Sequence, residues 1–142
     1  MNIASQNNVS PRHILILFAL TVALLIMMSQ LPQRHFNIIN VNVGEAKALI
    51  ESGALVIDVR EKKQFDYRHI PGAILIPVAV LRSGIPASIA YAKDKPIVVY
   101  CGDGVTHGPE GTELLNKAGF KKAVNIQPGI EGWAGAGLPV KK

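Results

Sequence analysis

Residues 14–28 read ILILFALTVALLIMM, fifteen positions without a charge. Ser29, Gln30 and Leu31 extend the uncharged run to eighteen residues before Pro32. A helix of roughly 17–25 such residues is long enough to cross the hydrocarbon core of a bilayer. Leu, Ile, Ala and Met favour that conformation over a strand. The run is apolar all round and offers no polar face to water, so it does not read as a helix of a soluble core. This feature divides the chain. The reading is an N-terminal tail over 1–13, a single transmembrane helix over 14–31, a linker over 32–39 and one folded domain over 40–142.

The segment after the run, MMSQLPQRHF, lacks the small-residue pattern of a cleavage site, so a retained signal anchor is expected rather than a cleaved signal. Arg12 precedes the span, while Arg34 and Lys47 follow it. That near balance sets orientation only weakly. A short tail left inside would place the domain on the extracytoplasmic, or periplasmic, side. The chain is modestly basic, with a formal charge of +5. Lysines and acids alternate, and no arginine-rich or aromatic-interleaved stripe points to nucleic acid. The single cysteine excludes an intrachain disulfide. The four histidines, His13, His35, His69 and His107, are too scattered for a metal-ligand pattern.

Within the domain, short apolar runs alternate with helical patterns. VGEAKALIESG places Ala46, Leu49 and Ile50 at helical spacing, with Gly53 as a stop. ALVIDV, ILIPV, PIVVYC and KAVNI are short apolar runs of the kind buried on both faces of a parallel sheet. EKKQFDYRH predicts a short helix anchored by Phe65, and IPASIAYAKD a helical segment from Pro86. PEGTELLNKAGF predicts a helix with Leu114 and Leu115 inward, Pro109 as its first residue and Gly119 at its end. PGIEGWAGAGLPV closes the chain with a turn and a short helical piece holding Trp133. The fold class is α/β, with a mainly parallel central sheet flanked by helices in three layers.

Cys101 stands where a strand ends, and Gly102, Gly104 and Gly108 follow within seven positions. In such sheets ligands gather beyond the carboxyl ends of the strands. A glycine loop lets successive backbone N–H groups converge on one point, and the next helix adds the positive end of its dipole. Both favour an anion, and the thiolate is the nucleophilic form of cysteine. The same glycines could serve a phosphate loop, but no Gly-Lys-Ser/Thr follows them. Read from their neighbourhoods, Asp58 and Arg60 are a structural ion pair at a strand end. His69 bonds to backbone before a Pro-Gly turn, and Trp133 is core. His107 is either a solvated loop residue or an electropositive neighbour of Cys101.

These residues carry a family resemblance. LVIDVREKKQFDYRHIPGAILIP (55–77) resembles the rhodanese signature, an Asp-x-Arg followed by His-Ile-Pro-Gly-Ala. YCGDGVT is similar to the rhodanese active-site loop, in a form seen in mercaptopyruvate sulfurtransferases. AGFKKAVNIQPGIEGWAGAGLPV is similar to the family's ending. The three motifs fall in the family's order over about residues 40–140. The resemblance implies a three-layer rhodanese-like domain that transfers sulfur and needs no cofactor. Cys101 would take the outer sulfur of a small donor anion, such as thiosulfate or mercaptopyruvate, as a persulfide. A thiol or a protein acceptor would then remove it. The amides of Gly102, Asp103, Gly104, Val105 and Thr106 would stabilise the persulfide, with His107 at the loop's end and Asp58, Arg60 and Gln64 in support.

The sequence departs from the family's common pattern at three places. Asp103 stands where many thiosulfate-type loops are cationic, and would repel a dianion. Gln64 occupies the position of a substrate-binding Arg in some thiosulfate enzymes. HGPEG suggests a loop about one residue longer than usual. Relatives that accept phosphate or arsenate carry an Arg six positions after the cysteine; here it is His107, which disfavours a phosphatase. The alternative to an enzyme is a module at the membrane that carries persulfide or binds a partner.

Overall fold

The computed structural model describes residues 10–30 and 34–142. Most of the expected tail (1–9), the end of the expected span (Leu31) and the start of the linker (Pro32 and Gln33) lie outside the described residues. The chain divides into two compact units, meeting between His35 and Phe36.

The first unit contains helix α1, Pro11–Ser29, which starts on a proline in its first turn. Its apolar side chains are exposed along its whole length. By length and composition it can cross a membrane.

The second unit is a five-stranded parallel sheet with helices on both faces. The strands are β1 Asn40–Val41, β2 Leu55–Asp58, β3 Ile74–Leu75, β4 Ile97–Tyr100 and β5 Ala123–Ile126. They stand in the order β1-β5-β4-β2-β3, and every pairing is parallel. The central pair aligns Leu55 with Ile97 and Asp58 with Tyr100. The register therefore brings the ends of β2 and β4 side by side, and the residues that follow them, Val59 to Gln64 and Cys101 onward, share one edge.

Period-2 alternation sends neighbouring residues of these strands to opposite faces. Ile57, Val99 and Cys101 join Leu81, Ile89, Leu115 and Phe120 in one core. Val56, Val98 and Tyr100 join Ala46, Ile70, Ile130 and Trp133 in the other. The first face is covered by α4 Val78–Ser83, a 3₁₀ turn Ala87–Ala92 and α5 His107–Lys117; the second by α2 Val43–Glu51 and α6 Gly129–Gly135. The short helix α3, Lys62–Tyr67, follows β2.

The ends of the elements have local causes. Asn42 opens α2 with a reciprocal cap, its Oδ1 accepting from the Glu45 amide at 2.9 Å while Glu45 accepts from the Asn42 amide at 2.8 Å. Arg82 on α4 donates two hydrogen bonds of 2.7 Å to Glu110 on α5, fixing the helix that follows the cysteine loop. Trp133 is core as expected, 4 % exposed, with its indole N–H donated to the Pro139 carbonyl at 2.9 Å.

Two sequence expectations need correction. ILIPV is a strand only over Ile74–Leu75, and its last residue, Val78, opens α4 over Val78–Ser83. Helix α5 starts at His107 and not at Pro109. Pro109 is its third residue, inside the first turn, where the amide of an ordinary residue would have no helical partner. The loop between strand and helix is therefore Cys101 to Thr106, without the expected extension.

Candidate active site

The site lies beyond the carboxyl ends of β2 and β4. Asp58 closes β2 and is fully buried, and Arg60 is 6 % exposed. The Asp58 carboxylate accepts from Arg60 Nη2 at 2.6 Å, from Nε at 2.9 and 3.1 Å, and from the Arg60 amide at 3.0 Å. Arg60 Nη2 also donates to the Arg68 carbonyl at 2.7 Å, and the guanidinium lies 5.6 Å from the Tyr100 ring centre. Burial works against the Arg60 charge, but Asp58 outweighs it and holds the guanidinium above its ordinary range. Tyr100 accepts from the Ile70 amide at 3.1 Å. Burial, then the Asp58 charge, pushes its phenol well above the ordinary value, so it stays protonated. The expected Asp58–Arg60 ion pair thus forms the floor under the site.

His69 bonds to backbone, as expected from its place before the Pro-Gly turn. Its Nδ1 lies 3.0 Å from the Phe65 carbonyl, and its ring stacks on Phe65 with centroids 4.0 Å apart.

The cysteine loop is clamped from two sides. The Cys101 and Gly102 carbonyls accept from the Ile130 and Glu131 amides of α6 at 3.0 and 3.1 Å. From β5, Asn125 Nδ2 donates to the Gly104 carbonyl and to Asn40 Oδ1, both at 2.8 Å. Its Oδ1 is buried and has no hydrogen-bond partner among the described residues. Gly104 has φ +76, and a Cβ there would stand 2.4 Å from the Ile126 carbonyl oxygen. Only glycine satisfies both conditions. This conformation aims the Gly104 amide at Cys101 Sγ, 3.3 Å away. Gly108 lets α5 approach equally closely, since a Cβ there would lie 3.2 Å from Sγ and 2.3 Å from Asn125 Oδ1.

The rest of the loop departs from expectation. One oxygen of Asp103, Oδ1, accepts from the Val105 amide at 2.9 Å, the Thr106 amide at 3.3 Å and the Thr106 hydroxyl at 3.2 Å. The same oxygen lies 3.4 Å from Cys101 Sγ, which donates to it. Of the five amides expected to face a sulfur anion, those of Val105 and Thr106 are thus directed to Asp103. The Val105 amide, opposed by partial burial and aided by Cys101 and Thr106, holds the Asp103 carboxyl below its ordinary range. Thr106 Oγ1 is 3.8 Å from Sγ, and Cys101 is only 1 % exposed.

Above the loop is a cavity of about 260 Å³, walled by Arg60, Gln64, Cys101, Asp103, His107 and Glu131 among others. It shares Arg60, Gln64, Gly102 and Glu131 with a groove of about 490 Å³ that Lys63, Tyr67 and Arg68 also line. Arg60, Gln64 and His107 are therefore brought to the cysteine, whereas Asp58 stays beneath. His107 is exposed at the first turn of α5. Asn125 and Glu131 are site residues that sequence reasoning did not single out. The turn PGIEG, which closes over the loop, was the available signal for Glu131.

The sequence profile of the Rhodanese-like domain matches residues 42–136. The chain belongs to the rhodanese-like family. This rhodanese domain is similar to the Escherichia coli protein YibN, described as uncharacterized, at 35 % identity over 98 residues and 68 % of each chain. It is similar to the Mycobacterium tuberculosis probable adenylyltransferase/sulfurtransferase MoeZ at 38 % identity, over 63 % of this chain but only 23 % of that protein. A tRNA uridine(34) hydroxylase of Escherichia coli is 30 % identical over 75 % of this chain and 34 % of its own.

Among solved structures, a rhodanese-related protein from Thermoplasma volcanium superposes with a TM-score of 0.63 at 27 % identity, covering 72 % of this chain and 97 % of its own. The human single-domain sulfurtransferase TSTD1 gives 0.59 at 28 % identity, covering 68 % and 95 %. The three-layer α/β rhodanese fold expected from the motifs is the observed one.

Proposed function

We propose that this rhodanese domain is a sulfurtransferase that carries a sulfane sulfur as a persulfide on Cys101. The carrying observation is Cys101 Sγ at the end of β4, on the floor of a small cavity, with the Gly104 amide donated to it at 3.3 Å. A backbone N–H aimed at sulfur favours its anionic forms, both the attacking thiolate and the persulfide product. Two relatives bear the name sulfurtransferase, which supports the same reading.

With thiosulfate as donor, the Cys101 thiolate attacks the outer sulfur. The new S–S bond forms as the donor's S–S bond breaks, and sulfite leaves with that electron pair. Charge is conserved, since a monoanionic persulfide and dianionic sulfite replace a thiolate and a dianion. With mercaptopyruvate, the Cys101 thiolate attacks the thiol sulfur, the C–S bond breaks with its electron pair left on carbon, and that carbon takes the thiol proton, giving pyruvate and the persulfide anion. An acceptor thiolate then attacks the outer sulfur of the persulfide and regenerates the Cys101 thiolate. The cavity matches donors of this size and not a large ligand. The groove beside it, with Lys63 and Arg68, suits a carboxylate-bearing acceptor thiol.

A carrier or partner-binding module with negligible turnover is the second reading. The near-complete burial of Cys101, with Asp103 and Thr106 oxygens 3.4 and 3.8 Å from its sulfur, favours it. Steady-state pyruvate or sulfite release in the presence of a thiol separates the two. Turnover that disappears in Cys101→Ser supports the enzyme, whereas a single sulfur loaded without turnover supports the carrier.

The proposal includes membrane anchoring through α1, supported by its length, composition and exposed apolar surface, with the domain on the extracytoplasmic side. A C-terminal reporter active only outside the cytoplasm tests the side. Activity of a cytoplasmic reporter instead would reverse it.

A further inference from the structure

We infer that Asp103 is an internal occupant of the anion nest at Cys101, which must vacate it before sulfur can be loaded and which selects against highly charged donors. The inference builds on the sulfurtransferase reading and concerns the same site.

A persulfide adds an outer sulfur about 2.05 Å from Sγ, the ordinary S–S bond length. To be stabilised by the nest it needs amides that have a hydrogen free to donate. The Val105 and Thr106 amides are given to Asp103 Oδ1, as is the Thr106 hydroxyl. That oxygen is itself 3.4 Å from Sγ. One carboxylate oxygen therefore holds two of the loop amides a sulfur anion would use, directly beside the atom to which the sulfur would be attached; the Gly104 amide alone is given to Sγ. The burial of the thiol agrees. Cys101 bounds the cavity yet is 1 % exposed, and the Asp103 carboxylate and the Thr106 hydroxyl stand 3.4 and 3.8 Å from its sulfur.

Asp103 has no fixed place in the core. It is half-buried, on a loop that α6 and Asn125 hold by the carbonyls of Cys101, Gly102 and Gly104. Its side chain can rotate out while the loop backbone stays clamped, leaving the Val105 and Thr106 amides to the incoming sulfur. The charges around the sulfur set the selectivity. Arg60 is neutralised by Asp58, which leaves the carboxylates of Asp103 and Glu131 on the cavity wall, with His107 at its rim. A dianion meets this field with twice the charge of a monoanion.

Alkylation of the single cysteine tests the inference without relying on sulfur chemistry. The full chain in non-ionic detergent is treated with neutral iodoacetamide or anionic iodoacetate, and each rate is divided by that of a free small thiol. In the wild type the iodoacetate-to-iodoacetamide ratio should lie roughly tenfold below that of the free thiol, and rise as salt screens the charge. Asp103→Asn should move the ratio most of the way to one. Asp103→Gly, which also removes the side chain from the nest, should raise both rates further.

Thiosulfate loading should rise by about the same factor in both variants, and more than mercaptopyruvate loading. A wild-type ratio equal to that of the free thiol and insensitive to salt would overturn the inference, whatever the variants do. So would a ratio unchanged by both substitutions at unaltered melting temperature. If the ratio behaves as expected but neither donor loads sulfur, the occupant reading stands and the sulfurtransferase reading falls.

Discussion

Asp58→Asn should be among the most damaging single-atom changes this domain can suffer. The side chain keeps its shape, so packing is preserved and only the charge is lost. In the native protein the Asp58 carboxylate, fully buried, receives the Arg60 guanidinium through contacts of 2.6, 2.9 and 3.1 Å. In the variant Arg60 remains 6 % exposed, with a neutral amide, the Arg68 carbonyl and the face of Tyr100 as its surroundings. Removing one partner of a buried ion pair costs about 3–5 kcal/mol, because the other charge is left uncompensated. A domain of this size has about 5–15 kcal/mol in total. Each kcal/mol moves the midpoint of such a domain by about 4–8 °C, so the melting temperature should drop by roughly 12–40 °C.

The assay is thermal unfolding of the full chain in detergent, followed by near-ultraviolet circular dichroism of Trp133. Arg60→Met should cost less, since Asp58 still accepts from the residue-60 amide. The double variant should be more stable than the sum of the two losses implies. An Asp58→Asn protein within about 1 kcal/mol of wild type would refute the reasoning, by showing that water reaches the pair.

Other consequences follow from the loop. Gly104→Ala should cost about 1–2 kcal/mol for the left-handed backbone alone, and more because its Cβ would meet the Ile126 carbonyl. Hydrogen–deuterium exchange should show the loss concentrated in residues 101–106, and unaltered exchange there would contradict the clamped geometry. The Asp103 carboxyl is held below its ordinary value of 3.8. Its contribution to loop stability is therefore present above that value and lost as pH falls through the lower, folded-state value. The Val105 and Thr106 amide resonances should follow that titration, and a midpoint at or above the ordinary value would remove Asp103 from its place as their acceptor.

The parts of the fold readable in the sequence are those in which local pattern and tertiary role agree. LVID and IVVY are apolar throughout because both sheet faces are covered, and each appears as a strand. Asn40–Val41 was not readable as a strand. It is two residues long, and its pairing with Asn125 and Ile126 is a long-range contact that no local pattern announces. VAVLRS carries β-branched residues that suggest a strand, and the burial of Val78 and Leu81 on one helical face overrides that preference.

In the site, the cysteine, its glycine loop and the Asp58–Arg60 pair were legible, because each rests on residues close in sequence. The charge of Asp103 was legible too, but not its direction. Whether the carboxylate faces solvent or folds back onto Val105 and Thr106 depends on loop torsions that composition does not specify. Asn125 was hidden inside a strand that reads as core, and its contact with the Gly104 carbonyl spans 21 residues of sequence.

The central claim is that Cys101 carries sulfur. Incubating the purified full chain with thiosulfate or mercaptopyruvate, removing the donor and measuring the intact mass tests it most directly. The account predicts a gain of about 32 Da, the mass of one sulfur atom. That gain should map to Cys101, be removed by an added thiol and be absent from Cys101→Ser. An unmodified mass with both donors, in wild type and in Asp103→Gly alike, would contradict it.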